Sequence, residues 1–265
     1  MILTVTLNPA VDKTYKTEEL FCGRVNRMRS VTNIPGGKGI NVSRILKQYG
    51  HDVTATGFLG GFPGTWIDSR LKEMDIRSEF VEVAGETRSS MNVVADNGFV
   101  TEILEPGPFV DGQKLEEFME RFSELVKEAS MVVLSGSAAP GIPTDIYARM
   151  IREASAAGKE TILDTSGELL REGVKAAPAV VKPNRKELEY LIGHRLRNKE
   201  DLKDAAEILR NLGVGMVVVS LGDKGLLLFG EKGCLYAKAP KVKAENTVGC
   251  GDSVVASLVM SRLTG

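Results

Sequence analysis

Apolar residues fall along this chain in two alternating rhythms. Short runs rich in β-branched residues stand at 2–8, 53–59, 131–135, 161–165, 179–182 and 216–221. Between them lie stretches with apolar positions every three or four residues, near 38–49, 64–74, 114–129, 143–157, 185–192 and 200–212. The first kind predicts strands buried on both faces, and the second predicts amphipathic helices, many ended by Gly or Asn. Strand and helix in turn predict an α/β fold, a doubly wound and mostly parallel sheet flanked by helices. Ligands of such sheets sit outside the carboxyl ends of the strands.

Two segments break the rhythm. Residues 12–33 are polar and extended. Residues 88–104 alternate around Asp96-Asn97-Gly98, a hairpin signal. Together they predict a small β-strand lid beside the main sheet, within one domain spanning 1–265. No internal repeat or long linker divides it. The 265 residues are 43% hydrophobic, enough for one substantial core.

Charge and cysteine narrow the classes. A net charge of −1 provides no general basic field, so no nucleic-acid partner is expected. Cys22, Cys234 and Cys250 lack paired spacing, which predicts a reducing cytosol and no zinc site. His51 and His194 stand in polar contexts, so a Ser-His-Asp hydrolase is not expected. Met1–Asn8 has no basic region ahead of its apolar residues and is too short to span a bilayer. It reads as a first strand, and no membrane association is expected.

The densest chemistry lies at Asn246-Thr247-Val248-Gly249-Cys250-Gly251-Asp252-Ser253, ahead of an apolar helical run. Bare N–H groups and the positive helix end favour an anion there. An aspartate at that place suits a general base beside a developing oxyanion, which points to phosphoryl transfer to a hydroxyl. A plain helix cap reads the octet equally well. Pro35-Gly36-Gly37-Lys38-Gly39-Ile40-Asn41 opens a second helix, with a cation at its start. It is neither a P-loop nor a dinucleotide fingerprint. Lys182-Pro183-Asn184-Arg185-Lys186-Glu187 follows a strand. Glu187, one turn into the next helix, could hold magnesium-bound water or simply favour the helix start.

In this order the motifs resemble the PfkB (ribokinase-like) carbohydrate kinases. The resemblance runs from Thr6-Leu7-Asn8-Pro9-Ala10-Val11-Asp12 through Ser135-Gly136-Ser137 and Ser220-Leu221-Gly222 to Thr247–Ser253. The opening Asn-Pro-Ala-Val-Asp is similar to the branch acting on sugar phosphates. That branch holds 1-phosphofructokinase, tagatose-6-phosphate kinase and the minor 6-phosphofructokinase. The resemblance implies ATP and Mg²⁺ as cofactors, with fructose 1-phosphate to fructose 1,6-bisphosphate as the first expectation. It implies that Asp12, Gly37, Lys38 and Asn41 bind the sugar, and that Arg27 and Arg88 meet its phosphate. Lys182, Asn184, Ser220 and Gly222 would bind nucleotide, with Glu187 on the metal through water. Gly249, Cys250 and Gly251 would form the anion hole, with Asp252 as base. A homodimer through the lid is also implied.

Three departures stand out. Cys250 replaces the Ala usual between the anion-hole glycines, and Leu104 precedes Glu105 where the family often has Asn. The chain closes at Gly265, soon after Asp252, where the family continues with helices around the adenine. Those helices are expected to be absent. A sugar-phosphate-binding protein without catalysis is therefore the expectation from a different class.

Overall fold

The structure is a computed structural model and describes residues 1–241 and 249–264. Its strands are β1 (Ile2–Thr6), β2 (Ala10–Thr17), β3 (Ser30–Gly36), β4 (Val53–Leu59), β5 (Arg77–Glu82), β6 (Arg88–Ala95), β7 (Val100–Leu104), β8 (Met131–Ser135), β9 (Glu160–Asp164), β10 (Val180–Val181), β11 (Met216–Ser220), β12 (Leu226–Gly230) and β13 (Gly233–Ala237). Its helices are α1 (Lys38–Gln48), α2 (Gly61–Glu73), α3 (Gly112–Glu128), α4 (Ile146–Ala156), α5 (Gly167–Val174), α6 (Arg185–Ile192), α7 (Lys199–Asn211) and α8 (Cys250–Thr264).

A nine-stranded sheet runs in the order β13-β12-β11-β10-β9-β8-β1-β4-β5. Neighbours from β5 to β11 are parallel, and β12 and β13 complete one edge antiparallel. Alternation within β1 explains the two layers. Leu3 and Val5, with Leu7 just beyond the strand, enter a cluster with Phe118 and Phe122 of α3, Met150 of α4, Leu170 of α5, Leu188 of α6 and Leu209 of α7. Ile2 enters another, with Val42 and Leu46 of α1 and Val255 and Val259 of α8. Each such side chain contributes about 1.5–3 kcal/mol on full burial. On the α1 side, the Thr4 and Ser43 hydroxyls meet at 2.5 Å and pin α1 to the central strand.

A second, four-stranded sheet runs β3-β2-β6-β7. Two antiparallel pairs flank a parallel pairing of Ala10–Thr17 with Arg88–Ala95. Val11 anchors it among Ile40, Ala55, Leu59, Ile67 and Leu71.

Several elements depart from the sequence reading. The first strand ends at Thr6, and the one expected at 179–182 shrinks to Val180–Val181, just ahead of Pro183. Helix α2 begins at Gly61, because its N-cap is Gly60 with no side-chain cap to mark it. Strand β5 was not foreseen; its Arg77, Glu79 and Glu82 hide a period that an edge strand can carry. Helix α5 and the β12–β13 hairpin were also unforeseen. The stretch 12–33 divides into β2, a loop and β3.

Candidate active site

The parallel strands finish along one edge of the large sheet, and their register fixes what meets there. Thr6 pairs with Gly57, and Ser135 with Asp164. Lys182 follows β10, and Asn184 bridges to Ser220 at the end of β11. Helix α1 starts against this edge, since a Cβ at its N-cap Gly37 (φ 101°) would stand 2.7 Å from the Thr6 methyl group. Only glycine suits that approach and that φ.

Helix α8 brings the aspartate. Asp252 lies in its first turn and is 5% exposed. Asn41 Nδ2, in the first turn of α1, donates to Asp252 Oδ2 at 2.8 Å. Two helix starts therefore converge, and their positive ends favour an anion between them. Burial pushes the Asp252 carboxyl up to about 6, against the Asn41 hydrogen bond. Asp164 adds to the rise, while Lys38 and Lys182 oppose it. Gly249 is left-handed at φ 84°, and its carbonyl accepts from Ser253 N at 2.9 Å. First-turn N–H groups such as those of Cys250 and Gly251 have no partner within a helix. Asn246, Thr247 and Val248 of the motif lie outside the described residues.

Behind the turn is a charge cluster that the sequence reading did not assemble. Asp164 is 1% exposed, and its Oδ1 lies 3.2 Å from both Lys38 Nζ and Lys182 Nζ. Burial pulls the Lys38 ammonium down, yet Asp164 and then Glu187 hold it above the ordinary lysine value. Asp164 ends a parallel strand at the carboxyl edge; that position was the available signal.

Most of the residues expected to bind the sugar gather where the small sheet meets the large one. Asn8, Gly37, Lys38, Arg88, Gly136 and Ser137 line a cavity of about 200 Å³. Arg88 donates through Nε to the Asn8 carbonyl at 3.3 Å and through Nη1 to that of Glu105 at 3.2 Å. Asp12 pairs in register with Ile34 and Ser90, and its carboxyl sits where a Cβ on Gly36 would fall. Burial raises the Asp12 carboxyl, opposed by Arg88, Ser90 and Arg44. Arg44 and Ser90 are neighbours that the sequence reading missed. Leu104 pairs with Ser90, so the row Ile34, Asp12, Ser90, Leu104 shares one face of the small sheet.

Arg27 is not brought to Arg88. Arg88 pairs with Ala10, at the opposite end of β2 from Lys16, which pairs with Ser30. At about 3.3 Å per residue the two arginines lie on the order of 20 Å apart. Arg27 instead lines a cavity of about 540 Å³ with Thr17, Glu19, Phe21, Val25 and Asn97.

The residues expected to bind nucleotide lie together along the strand ends. Asn184 and Glu187 form a capping box: Glu187 N donates to Asn184 Oδ1 at 2.9 Å, and Asn184 N to Glu187 Oε2 at 2.8 Å. The helix-start reading of this motif is therefore realised, with Glu187 Oε1 outside the box. Ser220 N donates to the Pro183 carbonyl, and Gly222 opens a short 3₁₀ turn.

The sheet gathers helix starts and a shielded carboxylate at its carboxyl edge, an arrangement of the α/β class suited to phosphoryl transfer. The model of the pfkB family of carbohydrate kinases matches residues 5–265, and the chain belongs to that family of sugar kinases. Phosphofructokinase-2 from Escherichia coli, solved with substrates and products, is 31% identical over 99% of this chain and 86% of its own, with TM-score 0.92. A structure from Thermotoga maritima described as a possible 1-phosphofructokinase is 31% identical over 98% of this chain and 84% of its own, with TM-score 0.90. No helix among the described residues is long and apolar enough to cross a membrane.

Proposed function

We propose that the protein transfers the γ-phosphoryl group of ATP to a free hydroxyl of fructose 1-phosphate, giving fructose 1,6-bisphosphate. The Asn41–Asp252 contact carries this reading, because it sets a shielded carboxylate between two anion-favouring helix starts. Asp252 takes the hydroxyl proton as the oxygen attacks. The Gly249–Gly251 turn receives the moving phosphoryl charge, where Cys250 preserves the small-residue geometry. Asp12, Gly37 and Asn41 orient the sugar, and Arg88 grips its phosphate with the planar fork that suits phosphate oxygens. Lys182, Asn184, Ser220 and Gly222 receive the nucleotide.

The donor set fits magnesium. Among the described residues no cluster of three acidic, His or Cys ligands exists. Glu187 offers one carboxylate oxygen outside its capping box, which suits a cation that keeps its water and relies on nucleotide phosphates. Bound there, Mg²⁺ would offset phosphate charge. Closure of the small sheet as a lid excludes water from the transfer.

The lid is also the surface we assign to a homodimer. Val31, Phe99, Val100 and Ile103 are exposed along it. Arg27, remote from its own chain's sugar cavity, would reach a sugar phosphate only across such a contact. The free, exposed cysteines support a cytosolic setting.

A second acceptor has a specific observation behind it. Phosphofructokinase-2 from E. coli, 30% identical here, has been solved with fructose-6-phosphate. Tagatose 6-phosphate places its groups alike. ADP release with ATP, Mg²⁺ and a panel of fructose 1-phosphate, fructose 6-phosphate, tagatose 6-phosphate, fructose and ribose tests the reading. Selective turnover of fructose 1-phosphate is expected. Selective turnover of another phosphosugar would replace the substrate; turnover of none, with phosphosugar still bound, would leave a binding protein.

A further inference from the structure

The carboxylate of Asp164 belongs to no motif used above, yet it is the most enclosed charge at the transfer site. One oxygen, Oδ1, accepts from Lys38 at the start of α1 and from Lys182 beyond β10, each at 3.2 Å. The other, Oδ2, is buried without a hydrogen-bond partner among the described residues. Lys182 is 6% exposed along its side chain, and a Cβ on Gly251 would stand only 3.6 Å from its Nζ. Its ammonium therefore lies against the Gly249–Asp252 turn.

We propose that Asp164 is a positioning residue for phosphoryl transfer, holding the Lys38 and Lys182 ammonium groups side by side behind the Gly249–Asp252 turn. The proposal rests on the kinase reading given above. Two ammonium groups sharing one oxygen lie close enough to disfavour each other's charge, and the carboxylate between them removes that penalty. An ammonium has three N–H donors, so one spent on Oδ1 leaves others for phosphate oxygens, and Oδ2 offers a second acceptor as they turn toward the ligand.

Other ionisable groups face the pair. Glu187 of α6 and Asp252 of α8 act on Lys38. Tyr147 of α4 lies beside Asp164, and burial with that charge keeps it a neutral phenol, its hydroxyl donating to the Gly136 carbonyl.

The test uses the whole chain. Asp164→Asn keeps the shape and removes the charge. We expect kcat to fall about 10- to 100-fold with the acceptor KM within about threefold. NMR titration of reductively ¹³C-methylated lysines, with Lys38 assigned through Lys38→Arg, should show its pKa lowered in this variant. In a Lys38→Met background the effect of Asp164→Asn on kcat should shrink. An unchanged Lys38 titration, or strictly additive effects, would overturn the proposal. Asp164→Glu decides if the Asn variant does not fold. It keeps the charge but displaces it by one methylene, so kcat should fall while Lys38 titrates as in the wild type; full wild-type kcat would sink the positioning role. An inactive wild type would instead count against the kinase reading, and the NMR titration would still decide the ammonium clamp.

Discussion

Asn41 and Asp252 stand 211 positions apart, yet the amide of one donates to the carboxylate of the other at 2.8 Å. Each lies in the first turn of its helix, and α1 packs on α8. The contact ties the Gly36–Asn41 motif to the Gly249–Asp252 motif. It also makes the strength of the proposed base depend on a residue expected to touch the acceptor.

Replacing Asp252 by Asn should cost about 10²–10⁴ in kcat, as loss of a general base does. The same change should stabilise the fold at neutral pH. The folded carboxyl titrates at about 6 against a reference of 3.8, so the folded state binds this proton more tightly. Stability therefore falls as pH rises from about 4 to about 6 and stays lower above. Asn cannot ionise, so the variant should gain about 1–3 kcal/mol at pH 8, and nothing near pH 4. Thermal melts at the two pH values check this; equal melting temperatures at pH 8 would remove the burial argument.

The pH–rate profile should have an acid limb near 6, with activity present above it and lost below. Burial sets that limb, and the Asn41 hydrogen bond draws it down. Asn41→Ala should therefore move the limb to higher pH while raising the acceptor KM. A limb that stays where it was would separate Asp252 from the titration.

Arg88→Ala should weaken phosphorylated sugars far more than free fructose, because the proposal gives its guanidinium the sugar's phosphate. Calorimetry with both ligand types reads the difference. Equal losses would reassign Arg88 to holding the Asn8 and Glu105 carbonyls together.

Gly36→Ala should raise the acceptor KM at least about tenfold, since its Cβ falls on the Asp12 carboxyl and the carboxylate must leave its place. Circular dichroism should show the fold retained. An unchanged KM would take Asp12 out of the sugar site.

Much of the main sheet was legible because buried parallel strands read as short β-branched runs. The hairpin β6–β7 was legible from its alternation and Asn97-Gly98. Where burial is one-sided or slight, the period fades: β5 carries charges, and β13 is exposed along most of its length. Helix α5 is short, and its Ser166 N-cap makes no side-chain bond. The glycine motifs marked helix starts because glycine has a steric meaning there. Which long-range partners those starts would acquire was not legible. Asp164 lies 126 positions from Lys38, and only strand order brings them together. Arg27 shows the reverse, an arginine whose residue type suited a role that its register does not reach within one chain.

The parallel pairing of β2 with β6 gives the molecule an order of assembly. These strands are the middle of the small sheet, but α1, β4, α2 and β5 all lie between them in sequence. Neither hairpin can complete the sheet locally, and folding the elements in between shortens the loop that the β2–β6 pairing must close. The small sheet is then expected to knit last and to come undone first, as an opening unit separate from the core. On warming, the grip on the sugar phosphate should be lost before the main sheet melts, and hydrogen exchange at Asp12 and Ser90 should quicken while Leu3 and Val5 stay protected.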